Sequence, residues 1–192
     1  MDKAEKLADS IALHNRIEVE DIPKIDLYSD QVIQLFENSF AVSKRHEDEK
    51  ILTKTMINNY AKGKLFYPID SKKYSRNHVM LINMIYQMKS VLSINDVKKT
   101  LEGINDKAVQ QEGSLESFYR SYLKVQQDNG DVFTAGLSRH METAANVLPN
   151  EENDSELEKV LLIASLAHMS KLYKRAAEKL VDDLRKGEDG SR

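Results

Sequence analysis

The chain has 192 residues, 41% hydrophobic and 31% charged, with a net charge of −3; this fits a soluble globular protein of one generous domain or two small ones and argues against disorder. It has no cysteine, which excludes disulfides, thiolate metal sites and cysteine nucleophiles, and no run nears the roughly 18 apolar residues of a membrane span. Seven glycines and three prolines leave long stretches free of breakers, which favours an all-α fold.

Residues 2–15 read as an amphipathic helix with Ala4, Leu7, Ala8 and Ile11 on one face. The stretch carries charges throughout and does not read as a signal peptide, so a cytoplasmic location is expected. A linker through Pro23 follows, then a helix capped by Ser29 with Val32, Leu35 and Phe36 inward, and a polar loop over 43–50.

Thr53 caps the next helix, which runs to Lys62 and stops at Gly63. At about 100° per residue, Lys54, Thr55, Asn58, Asn59 and Lys62 share one arc of roughly 140°, with Met56, Ile57, Tyr60 and Ala61 opposite. Residues 64–74 are short and basic and suit a hairpin or wing. A broadly apolar helix over 76–91 is the expected scaffold, and Ser93 caps another with Ile94, Val97 and Leu101 inward.

Charge is polarised along this part of the chain. Residues 50–99 hold ten bases and two acids, a balance of +8, so an overall −3 leaves −11 for the remainder. One basic quarter in an acidic chain suits a local anionic partner.

Beyond residue 105 the chain turns acidic and glutamine-rich. Ser114 opens a helix bearing Leu115, Phe118, Tyr119, Tyr122 and Leu123, and Asp131 opens a second, ended by Pro149. The box Ser155-x-x-Glu158 starts a helix over about 156–185. Its Leu162, Leu166, Met169, Tyr173, Ala176 and Leu180 follow coiled-coil spacing, which a buried intrachain helix or a homodimer would equally give. Residues 186–192 are expected to be a disordered tail.

Catalytic patterns are missing. The five histidines (14, 46, 78, 140 and 168) include no pair at helical ligand spacing, and GxSxG, GxxxxGK[ST], GxGxxG and HExxH are absent. No enzyme activity, cofactor or metal is expected. His46 beside Glu47, Asp48 and Glu49 reads as a charged surface loop. The polar arc of the helix at 54–62 suits nucleic acid better: asparagine bonds adenine bidentately, threonine meets phosphate or a thymine methyl, and lysine neutralises phosphate.

From Thr55 to Leu101 the sequence resembles the winged helix-turn-helix of MerR-type transcription regulators. TMINNYAKGKL (55–65) takes the place of their T-L-R-Y-Y-E-R-I-G-L-L, YSRNHV (74–79) that of Y-S-x-x-D-L, and LSINDVKKTL (92–101) that of the following helix. The wider span, with IPKIDLYSDQV, resembles an uncharacterised bacterial domain family carrying this module. Ile57-Asn58-Asn59 replaces the family's Arg-Tyr-Tyr, and the wing is about three residues shorter. The resemblance covers roughly residues 22–104 and implies a winged helix-turn-helix there; an N-terminal helix and linker over 1–21 precede it, and the helices over 105–185 read as a dimerisation or sensing region. It further implies a homodimeric regulator of double-stranded DNA with no membrane association, and a small-molecule effector it does not identify. The base-edge residues would be Thr55, Asn58 and Asn59, and the phosphate-binding ones Lys54, Lys62, Lys64, Lys72, Lys73 and Arg76. The rival reading is a protein-interaction module that keeps the shape without reading DNA. A third, a small-molecule-binding bundle, rests on Phe118, Tyr119, Tyr122 and Phe133.

Overall fold

The computed structural model describes residues 3–110, 114–148 and 155–189. Seven α-helices and one two-stranded antiparallel sheet make up its regular structure, with two short 3₁₀ turns. The chain is mostly helical, as its shortage of breakers led us to expect.

Helix α1 (Lys3–Ser10) buries Ala4 and Ala8, while Leu7 and Ile11 stay largely outside. Strand β1 (Leu27–Tyr28) leads directly into α2 (Ser29–Phe40). Ser29 does not cap α2: Tyr28 is the capping position, and its N–H donates to Gln31 Oε1 at 2.8 Å. Helix α3 (Lys54–Lys62) follows an irregular polar stretch. Strand β2 (Lys73–Tyr74) precedes α4 (Arg76–Met88), and α5 covers Ile94–Gln110. Strands β1 and β2 pair Leu27 with Tyr74 and Tyr28 with Lys73. The sheet therefore joins the starts of α2 and α4; within residues 64–74 the fold-back is one antiparallel bridge, Asp70 with Lys73, and not a hairpin of two strands.

Helix α4 is the scaffold that its composition suggests, with every residue from His78 to Ile85 buried. Asn83 is the polar exception at its centre. It is fully buried and donates Nδ2–H to Tyr119 Oη (2.6 Å), whose own proton goes to the Ile17 carbonyl (2.8 Å). Buried polar groups need such partners, and this chain of bonds ties the N-terminal segment to a residue 102 positions away.

Tyr119 sits on α6 (Ser114–Val147), which packs against α1, α4, α5 and α7 (Ser155–Asp189). The expected pair of helices is thus one helix of 34 residues. Asn129-Gly130-Asp131 does not break it, because Leu137 and Ala144 are buried beyond the glycine as Tyr119 and Leu123 are before it. Helix α7 runs to Asp189, into the segment expected to be disordered; Pro149 and residues 190–192 lie outside the described residues. No helix among the described residues is long and apolar enough to cross a membrane.

Candidate nucleic-acid interface

Local bonds fix both ends of α3. Thr53 Oγ1 accepts from Met56 N–H (3.1 Å) at the start, as the sequence suggests. At the other end Gly63 N–H donates to the Asn59 carbonyl (2.9 Å), Lys64 N–H to Ala61 (3.0 Å) and Leu65 N–H to Tyr60 (3.0 Å). This is Schellman-type closure, but its left-handed residue is Lys64 (φ 54°), not Gly63. Gly63 serves close packing instead: a Cβ there would lie 2.6 Å from Leu65 Cδ1.

A helix of under three turns does not persist alone, and α3 is held by its apolar arc. Ile57 and Tyr60 are buried, and Met56 and Ala61 are half-buried. Burial pushes the Tyr60 phenol up to about 12. On the opposite arc Lys54, Thr55, Asn58, Asn59 and Lys62 are all exposed.

The wing supplies further cations. Residues 70–73 close a tight turn in which Lys73 N–H donates to the Asp70 carbonyl (2.8 Å), with positive φ at Ser71 (49°) and Lys72 (59°). Two such residues in succession mark a type I′ turn. Lys72 stands exposed at its tip, while Lys73 is half-buried with its ammonium 5.4 Å from the Tyr28 ring centre. Lys64 is exposed and shares an open groove of about 690 Å³ with Lys98, Phe66, Tyr67 and Ile69. Lys98 is a cation that the sequence reading left out of the face.

Arg76 departs from expectation. It is half-buried, and its guanidinium donates to a Glu116 carboxylate oxygen (3.0 Å) and to the Val19 carbonyl. Its charge joins α4 to α6 and to the N-terminal segment rather than to solvent.

The wing is anchored by two residues that the sequence reading missed. Ser75 N–H donates to His78 Nδ1 (3.2 Å), so the imidazole proton sits on Nε2, which donates to the Tyr67 carbonyl (3.2 Å). Tyr67 Oη lies 3.1 Å from Ser75 Oγ. Burial pushes His78 below its ordinary value of 6.5. Asn105 on α5 donates Nδ2–H to the Leu65 carbonyl (2.7 Å). His78 stands three residues after a serine cap, where glutamate or glutamine is usual; Asn105 carries no comparable signal.

Among the described residues, no three His, Asp or Glu side chains gather as metal ligands. The aromatic group of the third reading is spread out: Tyr119 is fully enclosed, Phe118 is exposed, and Phe133 borders a cavity of about 360 Å³ with Gln87 and Gln126.

A family model described as a domain of unknown function, DUF1836, matches residues 17–122. The chain belongs to the DUF1836 family. No curated protein and no solved structure matches it. The DUF1836 span begins at Ile17, whose carbonyl receives the Tyr119 hydroxyl, and closes at Tyr122, three residues past that hydroxyl's owner. It holds the eight residues that remain in the candidate face as well as Arg76, and its bounds follow the core cluster, which runs from Ile17 to Leu123.

Proposed function

We propose that the chain is a sequence-specific DNA-binding regulator of transcription that reads double-stranded DNA with α3 through a MerR-like winged helix-turn-helix. Its helical C-terminal part serves homodimerisation or the sensing of a small-molecule effector. The observation that carries this reading is the division of α3: five polar or cationic side chains face solvent while Ile57 and Tyr60 are buried behind them. Thr55, Asn58 and Asn59 are the base-edge readers. Lys54, Lys62, Lys64, Lys72 and Lys73 meet phosphate, and Arg76 is left out of the set because its charge is engaged by Glu116.

Five phosphate contacts set the salt dependence, with log K falling against log salt at a slope of about −4.5. Fluorescence anisotropy against promoter fragments measures it. Asn58→Ala relaxes discrimination at one base pair by about 1–3 kcal/mol, whereas Lys72→Ala weakens all sequences alike and lowers the slope by about one. Folded protein that binds no DNA fragment at low salt sinks the proposal.

The second reading, a non-enzymatic protein-interaction module, draws support from Arg76. That pair is a base of the winged-helix part answered by an acid of α6, so an acidic protein surface is a second kind of anionic partner. Under it, reversing the charge of Lys72 and Lys73 disrupts a protein complex while DNA affinity stays negligible.

A further inference from the structure

The groove of about 690 Å³ between the wing and α5 has two unlike walls. One is apolar: Phe66 is buried, and Tyr67 and Ile69 are half-buried beside it. This wall is held in place, since the Tyr67 ring centre lies 4.0 Å from that of His78 and its hydroxyl 3.1 Å from Ser75 Oγ. The other wall is the face of α5 that carries Lys98, Glu102, Asn105, Asp106 and Val109. At about 100° per residue these five share an arc of roughly 100°, next to the arc on which Val97, Leu101 and Ala108 are buried.

Both signs of charge line the groove without neutralising each other. Lys64 and Lys98 supply two cations, Glu102 and Asp106 two carboxylates. None of the four is in an ion pair among the described residues. Lys98 and Glu102 are four apart with the base first, the weaker order for a helical pair. Asn105 adds a fixed acceptor. Its Nδ2 is committed to the Leu65 carbonyl (2.7 Å), which only accepts, so the amide has one orientation. Its Oδ1 is then buried with no donor among the described residues. Buried acceptors are ordinarily bonded, and beside two carboxylates the donor that fits is a cationic one.

A ligand matched to this groove carries an ammonium, a carboxylate and an apolar body. Lys98 and Glu102 stand one helical turn apart, about 6 Å along the axis, so the two ligand charges belong on neighbouring atoms and not at the ends of a long chain. We propose that the groove binds a free α-amino acid with a large apolar side chain. Its carboxylate lies between Lys98 and Lys64, its ammonium meets Glu102 and Asp106 beside Asn105 Oδ1, and its side chain rests on Phe66, Tyr67 and Ile69. The groove falls within the range of about 300–1,000 Å³ usual for small-molecule sites. Lys64 is also a member of the proposed DNA face, so a bound amino acid takes one cation from phosphate. That regulatory consequence rests on the DNA reading; the binding site does not.

Isothermal titration calorimetry on the full chain with leucine, isoleucine, methionine and phenylalanine is expected to find a single site for at least one of them. For the tightest ligand, N-acetylation removes the ammonium and amidation removes the carboxylate, and each should weaken binding at least about tenfold. Lys98→Met and Glu102→Gln should each weaken the parent amino acid by a similar factor, with melting temperatures unchanged. Glu102→Gln should leave the N-acetyl derivative no weaker than before, whereas a merely structural role would weaken both ligands alike. No heat from any of the four at about 10 mM, or derivatives that bind as well as their parents, overturns the site. With promoter DNA, a saturating amino acid should lower the slope of log K against log salt by about one phosphate contact, and an unchanged slope overturns the link through Lys64. A chain that binds an amino acid with these preferences and no DNA overturns the DNA reading alone. One that binds DNA and none of the four amino acids overturns the site alone.

Discussion

Lys64, Ser71 and Lys72 hold left-handed backbone on the candidate face, where a side chain costs about 1 kcal/mol relative to glycine. Strained residues persist where something else requires them, and both lysines present their charge to solvent. Replacing either by glycine should therefore separate stability from binding. Lys64→Gly is expected to gain about 1 kcal/mol, raising the melting temperature by about 2–4 °C for a chain of this size, while lowering DNA affinity and the salt slope by one phosphate contact. Thermal scans and anisotropy on the same preparation check both halves. His78 makes a second prediction at this scale. Its folded value lies below the unfolded 6.5 because burial disfavours the charged ring, so the unfolded chain takes up the proton first. Stability is then retained above pH 6.5 and falls as pH drops below it, at no more than about 1.4 kcal/mol per pH unit. Urea titrations between pH 7.5 and 5.5 should show this slope, and His78→Gln should flatten it. The polar and apolar arcs of α3 were readable in advance because a 3.6-residue period needs no tertiary information. The strained lysines were hidden behind Gly63, the obvious candidate for a left-handed cap. Arg76 was assigned to phosphate because nothing local announces Glu116, 40 positions further on.

Among the elements, α6 departs most from its sequence. Asn129-Gly130-Asp131 carries turn and capping residues, yet the helix runs through it. The glycine has a use inside the helix: a Cβ at Gly130 would stand 3.3 Å from the His14 ring and 3.6 Å from Leu13 Cγ, so its absence lets the segment after α1 lie close. Gly136, two turns on, has nothing within 4 Å of its would-be Cβ. Gly136→Ala should therefore stabilise the chain by about 0.5–1 kcal/mol. Gly130→Ala gains the same helix preference but has to displace His14, and its melting temperature should rise less or fall. Equal gains at both positions would remove the close-packing role given to Gly130. Periodicity located α2, α3, α4 and α5 and most of their apolar stripes, but Ile94, read as inward on α5, is exposed while Val97 and Leu101 are buried. It divided α6 because local turn preference is weaker than the burial of apolar residues on both sides of the glycine. The wing differs for another reason: its last two residues pair with β1, 45 and 47 positions earlier, and pairing at that distance leaves no trace in either segment alone.

At the scale of the molecule, the part that carries the proposed DNA face and α6 share one core. Leu115, Tyr119 and Leu123 belong to the same buried cluster as Ile57, Val79 and Leu101. Tyr119 adds two directed bonds, and Arg120 carries the join to the surface through Glu116 (2.9 Å) and Glu20 (2.7 Å). Tyr119→Phe leaves the Asn83 side chain and the Ile17 carbonyl unpaired in the interior and should cost about 1–3 kcal/mol, measured by denaturant titration. The resemblance to winged helices extends only to residue 104, because the motif residues that carry it end there and buried contacts have no motif.

That shared core has a consequence for how the chain is made. Helix α3 is complete at residue 62, but Tyr119, which closes the core over α4, is added about sixty residues later, or roughly 3–12 s at ordinary rates of translation. Throughout that interval the growing polypeptide carries the proposed DNA-reading segment with one side of its scaffold still bare, so a ribosome stalled between these points holds a chain that chaperones should recognise and promoters should not.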